Sequence, residues 1–198
     1  MPSILLASSS PYRKQLLDKL GLYFSYASPD IDESPAVNET PHALAERLSR
    51  AKAEALAKQY SDKLIIGSDQ VAELNGTALG KPGNRDNAIA QLRLCSGQTV
   101  AFHTGVCLLN ASNGRQHYAC DTYSVVFREL SDDQIVYYVD QEQPFDCAGS
   151  FKSEGLGISL FSAIRGDDPN SLIGLPLIKL TELLLKEGID VLSEQPHT

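Results

Sequence analysis

A chain of 198 residues, 42% of them hydrophobic, is long enough to bury a sizeable core and falls within the length of one domain. Its net charge of −8 excludes a general nucleic-acid surface, because contacts to a phosphate polymer need a basic stripe that this composition does not offer. The longest apolar stretches, such as Ile4 to Ala7 and Leu183 to Leu185, fall far short of the roughly 20 residues that span a bilayer, and MPSILLASSS lacks the basic and apolar regions of a signal peptide, so a soluble cytoplasmic protein with no membrane partner is expected. A single nucleotide is not excluded: exposed charges are screened over about 8 Å, and a few clustered cations can hold a triphosphate on an acidic protein. Cys95, Cys107, Cys120 and Cys147 show no CxxC or Cys/His ligand spacing and read as free buried thiols.

In chain order, Ile4 to Ala7 reads as a short buried strand that runs into a polar turn and a helix capped by Ser10, with Pro11 in the first turn, Leu16, Leu17 and Leu20 on one face and Gly21 at its end. Tyr23 to Ala27 is a second apolar segment, followed by an acidic loop with Asp30, Asp32 and Glu33. Thr40 and Pro41 start a long helix through about Lys58, with Leu44, Leu48, Ala51 and Ala55 assigned to one face. Leu64 to Ile66 is too short for a helix and leads at once into Gly67, Ser68 and Asp69, which places Asp69 at a strand end. Asn75-Gly76 predicts a hairpin between Val71 and Leu79. Asn84 caps a helix carrying Ala88, Leu92 and Leu94 that stops at Gly97; Thr99 to Arg128 reads as an antiparallel pair around Asn113-Gly114. Ser131 opens a further helix, Leu172 to Lys186 forms the last one before Gly188, and Pro196 and His197 form a frayed tail. The fold expected is α/β (α+β), a mixed sheet flanked by helices in one domain over residues 1–198.

Four places carry polar chemistry. The Ser8-Ser9-Ser10 turn, at a helix N-terminus and followed by Arg13 and Lys14, suits an anion, although a serine-rich cap with solvated basic residues explains it equally well; it lacks the GxxxxGK[ST] pattern of a P-loop. Asp69 beyond an apolar strand either meets a ligand or caps a turn. The hairpin at Asn75-Gly76 returns Lys81 towards Asp69, as an active pair or as a surface salt bridge. Cys147 to Gly157 is glycine-rich with Lys152 and Glu154, and Asp167 to Ser171 precedes a further apolar segment; glycines there permit close backbone approach to a ligand or simply make turns.

Taken together, LLASSSPYRKQLLDKLG, DIDES, RLSRAKA, IIGSDQV, LGKP, CAGSFKSEG and DPNSLIGLPL, in that order, resemble the Maf nucleotide pyrophosphatases over essentially the whole chain. The resemblance implies a central mixed sheet with a cleft between two lobes and a metal-dependent release of pyrophosphate from nucleoside triphosphates. Carried over position by position, it implies Asp69 as proton acceptor, Ser8, Arg13, Lys52, Lys81 and Lys152 around the phosphates, and Glu33 with Asp69 at a divalent cation (Mg, Mn or Co). A lone carboxylate is a poor base towards bulk water, whereas a metal makes its bound water far more acidic. The family also suggests a homodimer.

Base preference in this family varies with the positions occupied here by Tyr12, Gln70 and Glu154. The subgroup acting on dTTP and UTP usually carries Arg, Thr and Gln there, and this chain departs at all three; it resembles the subgroup acting on 7-methyl-GTP. N7 methylation makes the purine cationic, which suits the Tyr12 face, and Glu154 is suited to accept from guanine N1–H and N2–H. Other readings are a dTTP/UTP pyrophosphatase, or a nucleotide-binding regulator of septum formation whose hydrolysis is incidental.

Overall fold

Residues 3–193 are described by a computed structural model; Pro196 and His197 lie outside them. β1 (Ile4–Ala7) is fully buried and passes into α1 (Pro11–Asp18), where Ser10 Oγ accepts from the Arg13 N–H and Pro11 fills a first-turn position that needs no donor. β2 (Phe24–Ala27) pairs parallel with β1. The chain then returns through α2 (Pro41–Ala57), capped by Thr40, to β3 (Leu64–Leu74), which pairs parallel with the other side of β1. Crossovers of one hand that run in opposite directions along the sheet, from β1 to β2 and then from β2 past β1 to β3, put their helices on opposite faces. Accordingly, Leu16 and Leu17 of α1 pack with Ile4, Leu6 and Ile66, whereas Ala53 and Leu56 of α2 pack with Leu5, Ala7 and Ile65. The gap between β1 and β3 is therefore a topological switch point, where open α/β sheets leave a crevice.

The remainder is antiparallel. Asn75 and Gly76, with φ of 50° and 80°, turn β3 into β4 (Thr77–Leu79). After α3 (Arg85–Cys95), β5 (Thr99–Asn110) and β6 (Arg115–Phe127) form a long hairpin. α4 (Asp132–Glu142) opens on a capping box between Ser131 and Gln134, and β7 (Phe161–Arg165) lies beside β6. The sheet order is β2-β1-β3-β5-β6-β7, with β4 beside the far end of β3. The chain closes with α5 (Pro169–Ile173) and α6 (Leu177–Lys186). Phe102, Tyr138, Phe151 and the apolar faces of α3 and α4 give the antiparallel part its own core, so the expected mixed sheet flanked by helices is what forms.

Several local expectations need correction. Asp69 is in mid-strand, since β3 runs on to Leu74; what ends is its neighbour, because β1 stops opposite Gly67 and β4 pairs with β3 only from Ala72 onward. The buried face of α2 carries Leu44, Ala45, Leu48, Ser49, Lys52, Ala53 and Leu56, while Ala51 is half-buried and Ala55 exposed: two polar residues belong to the inner stripe, so apolarity alone rotates it. The last helix is two. Gly174, at φ 124°, and Pro176 break it, and Asp168 caps both pieces, accepting from the N–H of Asn170 at 2.8 Å and of Ile178 at 2.7 Å. Leu94 is exposed, and β7, too short and half-exposed to announce itself, was not anticipated.

Candidate active site

A cavity of about 680 Å³ opens where β3 residues 68–71 have no strand beside them on the β1/β4 edge. On one side stands the turn after β1, Ser8 to Arg13; on the other is the exit of β4, Gly80 and Lys81; the antiparallel lobe contributes Phe102, Asp146 to Ala148, Phe151, Ser153 and Glu154. α2 is pressed against β3 at this level. A Cβ on Gly67 would lie 2.2 Å from the Ser49 carbonyl oxygen, so only glycine permits the approach. Ser49 Oγ fastens it, donating to Ala45 O at 2.7 Å and accepting from the Asp69 N–H at 3.0 Å.

This contact brings Lys52 to Asp69. The buried ammonium lies 2.7 Å from Asp69 Oδ1 and 2.7 Å from Glu33 Oε1, bridging a strand carboxylate and a loop carboxylate, each through one of its two oxygens. Partial burial pushes the Glu33 carboxyl up, but the hydrogen bond from Lys52 and the charges of Lys52, Lys81 and Arg13 outweigh it and leave its pKa below the usual value. Lys81 is exposed on the rim. Arg13 donates from Nε to Gly174 O at 2.7 Å; burial lowers its pKa while Asp69 and Glu33 raise it again, and the guanidinium stays charged. Ser8 is buried, its Oγ accepting from the Ser10 N–H at 3.1 Å. Lys14 does not join this group: its ammonium sits over the Tyr26 ring, 3.5 Å from the centroid.

The other end of the cavity is more open. Tyr12 is half-buried, and burial raises its phenol pKa, with Lys152 opposing and Cys147, Glu154 and Asp146 reinforcing the shift. Glu154 is exposed and accepts from Ser153 Oγ at 3.3 Å. Gln70 is fixed: its Nε2 donates to Ser171 O at 2.7 Å, Leu172 O at 3.0 Å and Thr104 Oγ1 at 3.1 Å. Lys152 does not line the cavity, and its Nζ donates to Glu142 O at 3.0 Å. The structure thus gathers Ser8, Tyr12, Arg13, Glu33, Lys52, Asp69, Gln70, Lys81 and Glu154 around one cavity, with Lys152 behind it. Between the ends, Leu44, Leu48, Val71, Phe102 and Leu172 supply apolar wall.

The family model for Maf-like proteins matches residues 3–187. The chain belongs to the Maf family. Among curated relatives, a 7-methyl-GTP pyrophosphatase of Alcanivorax borkumensis is 60% identical over 190 residues, covering 96% of each chain. A 7-methyl-GTP pyrophosphatase of Pseudomonas aeruginosa is 54% identical over 191 residues, covering 96% of this chain and 100% of its own. The residues around the cavity that sequence reasoning missed are supporting ones: Ser49, one turn before Lys52 in RLSRAKA; Thr104; and Gly174, whose carbonyl also accepts from Ser68 Oγ at 3.1 Å. Only the spacing of Ser49 from Lys52, which puts both on one helix face, offered a signal.

Proposed function

We propose that this Maf-family protein hydrolyses 7-methyl-GTP, a nucleoside triphosphate, to 7-methyl-GMP and pyrophosphate. The observation that carries the reading is Lys52 bridging Asp69 and Glu33 at 2.7 Å each, in a cavity shared with Tyr12, Gln70 and Glu154; the names borne by relatives up to 60% identical support it. A triphosphate brings about four negative charges, and Arg13, Lys52 and Lys81 would oppose them, most strongly as charge gathers on the departing pyrophosphate. Asp69 accepts a proton from the water that attacks the α-phosphorus. The bond from that phosphorus to the oxygen bridging to the β-phosphorus breaks, and its electron pair leaves with pyrophosphate.

Among the described residues no group of three or more acidic, histidine or cysteine side chains would hold a cation unaided. Two carboxylates beside a phosphate pocket do fit magnesium or a similar divalent ion, which takes one or two carboxylates and completes its shell from phosphates and water. Glu33 and Asp69 are the proposed ligands, and the ion, once bound, would acidify water and offset phosphate charge. At the base end the Tyr12 ring suits a cationic purine, a contribution of about 0.5–2 kcal/mol. Glu154 accepts from guanine N1–H and N2–H. Gln70, its amide N–H groups already committed inward, has its carbonyl oxygen left to accept. Uracil or thymine, with acceptors on both sides of one N–H, would meet repulsion there.

With its cysteines as free thiols and no helix among the described residues long and apolar enough to cross a membrane, the cytoplasm is the proposed location. The test is pyrophosphate release from 7-methyl-GTP, GTP, dTTP and UTP with Mg²⁺, Mn²⁺ or Co²⁺. The highest kcat/KM is expected for 7-methyl-GTP; faster turnover of dTTP or UTP overturns the base assignment, and no release from any of them overturns hydrolysis.

A further inference from the structure

Glu33 reaches Lys52 from residues 28–39, a segment with neither helix nor strand, and half of its side chain is exposed. Its place therefore depends on what ties the segment down. Before it, Ile31 packs against the cluster of Leu44, Leu48 and Val71. After it, the tie is ionic and comes from α2. Arg47 Nε donates to Glu39 Oε1 at 2.6 Å, and its Nη2 donates to Glu39 Oε2 at 2.8 Å and to Ser34 O at 2.9 Å. Glu39 Oε2 also accepts from the Ala36 N–H at 2.9 Å, and Asp32 Oδ1 accepts from the Ser34 N–H at 2.9 Å. The hydrogen bonds from Arg47 and the Ala36 N–H lower the Glu39 carboxyl pKa to about 2, so the fork persists across the working pH range.

An ion pair at the surface by itself contributes little to stability, and here the Arg47 side chain is part-exposed while that of Glu39 is largely covered. This one differs in its targets. Each partner also grips a backbone group just after Glu33, Arg47 the Ser34 carbonyl and Glu39 the Ala36 N–H, and Arg47 stands five residues before Lys52 on the same helix. We propose that Arg47 is a positioning residue for turnover: with Glu39 it fixes residues 34–36, and so sets Glu33 against Lys52. The inference rests on the proposed hydrolysis. Arg13 and Lys81, the proposed phosphate contacts, make no hydrogen bond to this fork, so its loss should weaken turnover more than substrate binding.

The experiment takes the full chain and whichever triphosphate the wild type hydrolyses fastest. Arg47→Met and Glu39→Gln should each lower kcat by about ten- to a hundredfold, as small displacements of reacting groups do, with KM within about threefold and the melting temperature nearly unchanged. Added to Glu33→Gln, Arg47→Met should lower kcat no further, because it acts through a carboxylate already removed. Hydrogen exchange supplies a readout independent of turnover: the Ser34 and Ala36 amides should exchange faster in Arg47→Met. Should that variant not fold, Glu39→Gln carries the same comparisons. Additive losses in the double variant, wild-type kcat in both single variants, or unchanged exchange overturn the role of Arg47. A wild type that releases pyrophosphate from no triphosphate overturns the hydrolysis reading instead.

Discussion

At the proposed phosphate end of the cleft, Asp69 on β3 and Lys52 on α2 meet at 2.7 Å, welded by Ser49 and by the absence of a side chain at Gly67. At the proposed base end, Tyr12 is half-buried on the first turn of α1 and Glu154 is exposed on a glycine-rich segment. The first arrangement has one geometry, enforced by close packing; the second can change residues without disturbing a core. A scaffold with a rigid reactive centre and a replaceable rim can therefore keep one reaction while altering the base it accepts.

Substitutions can break or sharpen that contrast. The largest effect is expected from Asp69→Asn, which retains an oxygen for Lys52 and so keeps the fold but cannot take a proton: kcat should fall by about 10²–10⁴-fold with the melting curve preserved, and near wild-type pyrophosphate release would remove Asp69 from the chemistry. Gly67→Ala attacks the same end through packing. It should cost about 1–3 kcal/mol in urea unfolding and lower turnover as α2 is pushed off β3; an unaffected unfolding midpoint would mean the helix can shift freely. At the rim, Glu154→Gln should leave stability alone and reduce the preference for 7-methyl-GTP over UTP by roughly tenfold, the worth of one charged hydrogen bond. A constant substrate ratio would place base selection elsewhere. Smallest, Tyr12→Leu should raise KM for 7-methyl-GTP several-fold more than KM for GTP, in line with a cation–π contribution of about 0.5–2 kcal/mol; equal changes for both would reduce Tyr12 to apolar wall.

Much of this molecule was legible without coordinates. Caps and turns depend on a few adjacent residues, so Ser10-Pro11, Thr40-Pro41, Asn75-Gly76 and Ser131 with Gln134 fixed the starts of α1, α2 and α4 and the β3–β4 hairpin locally. The seven spaced motifs were likewise enough to indicate the Maf family, and nine of the ten residues they nominated line one cavity.

What sequence could not supply was any quantity set between distant segments. Asp69 looked terminal because its own run of apolar residues ends; in fact the neighbouring strand ends, and the exposed edge of β3 that this leaves is decided by where β1 and β4 pair. The inner face of α2 was misjudged because Ser49 and Lys52 are polar and buried, a combination stable only when Asp69 and Glu33 stand opposite. Lys152 turned to the Glu142 carbonyl and Lys14 to the Tyr26 ring for the same reason: a flexible cation's partner is chosen by proximity in space. Sequence by itself thus determined the identities and local turns of this protein, which depend on neighbours within a few residues; the tertiary structure alone decided which charges meet, because that depends on where strands stop and which helix face is pressed inward.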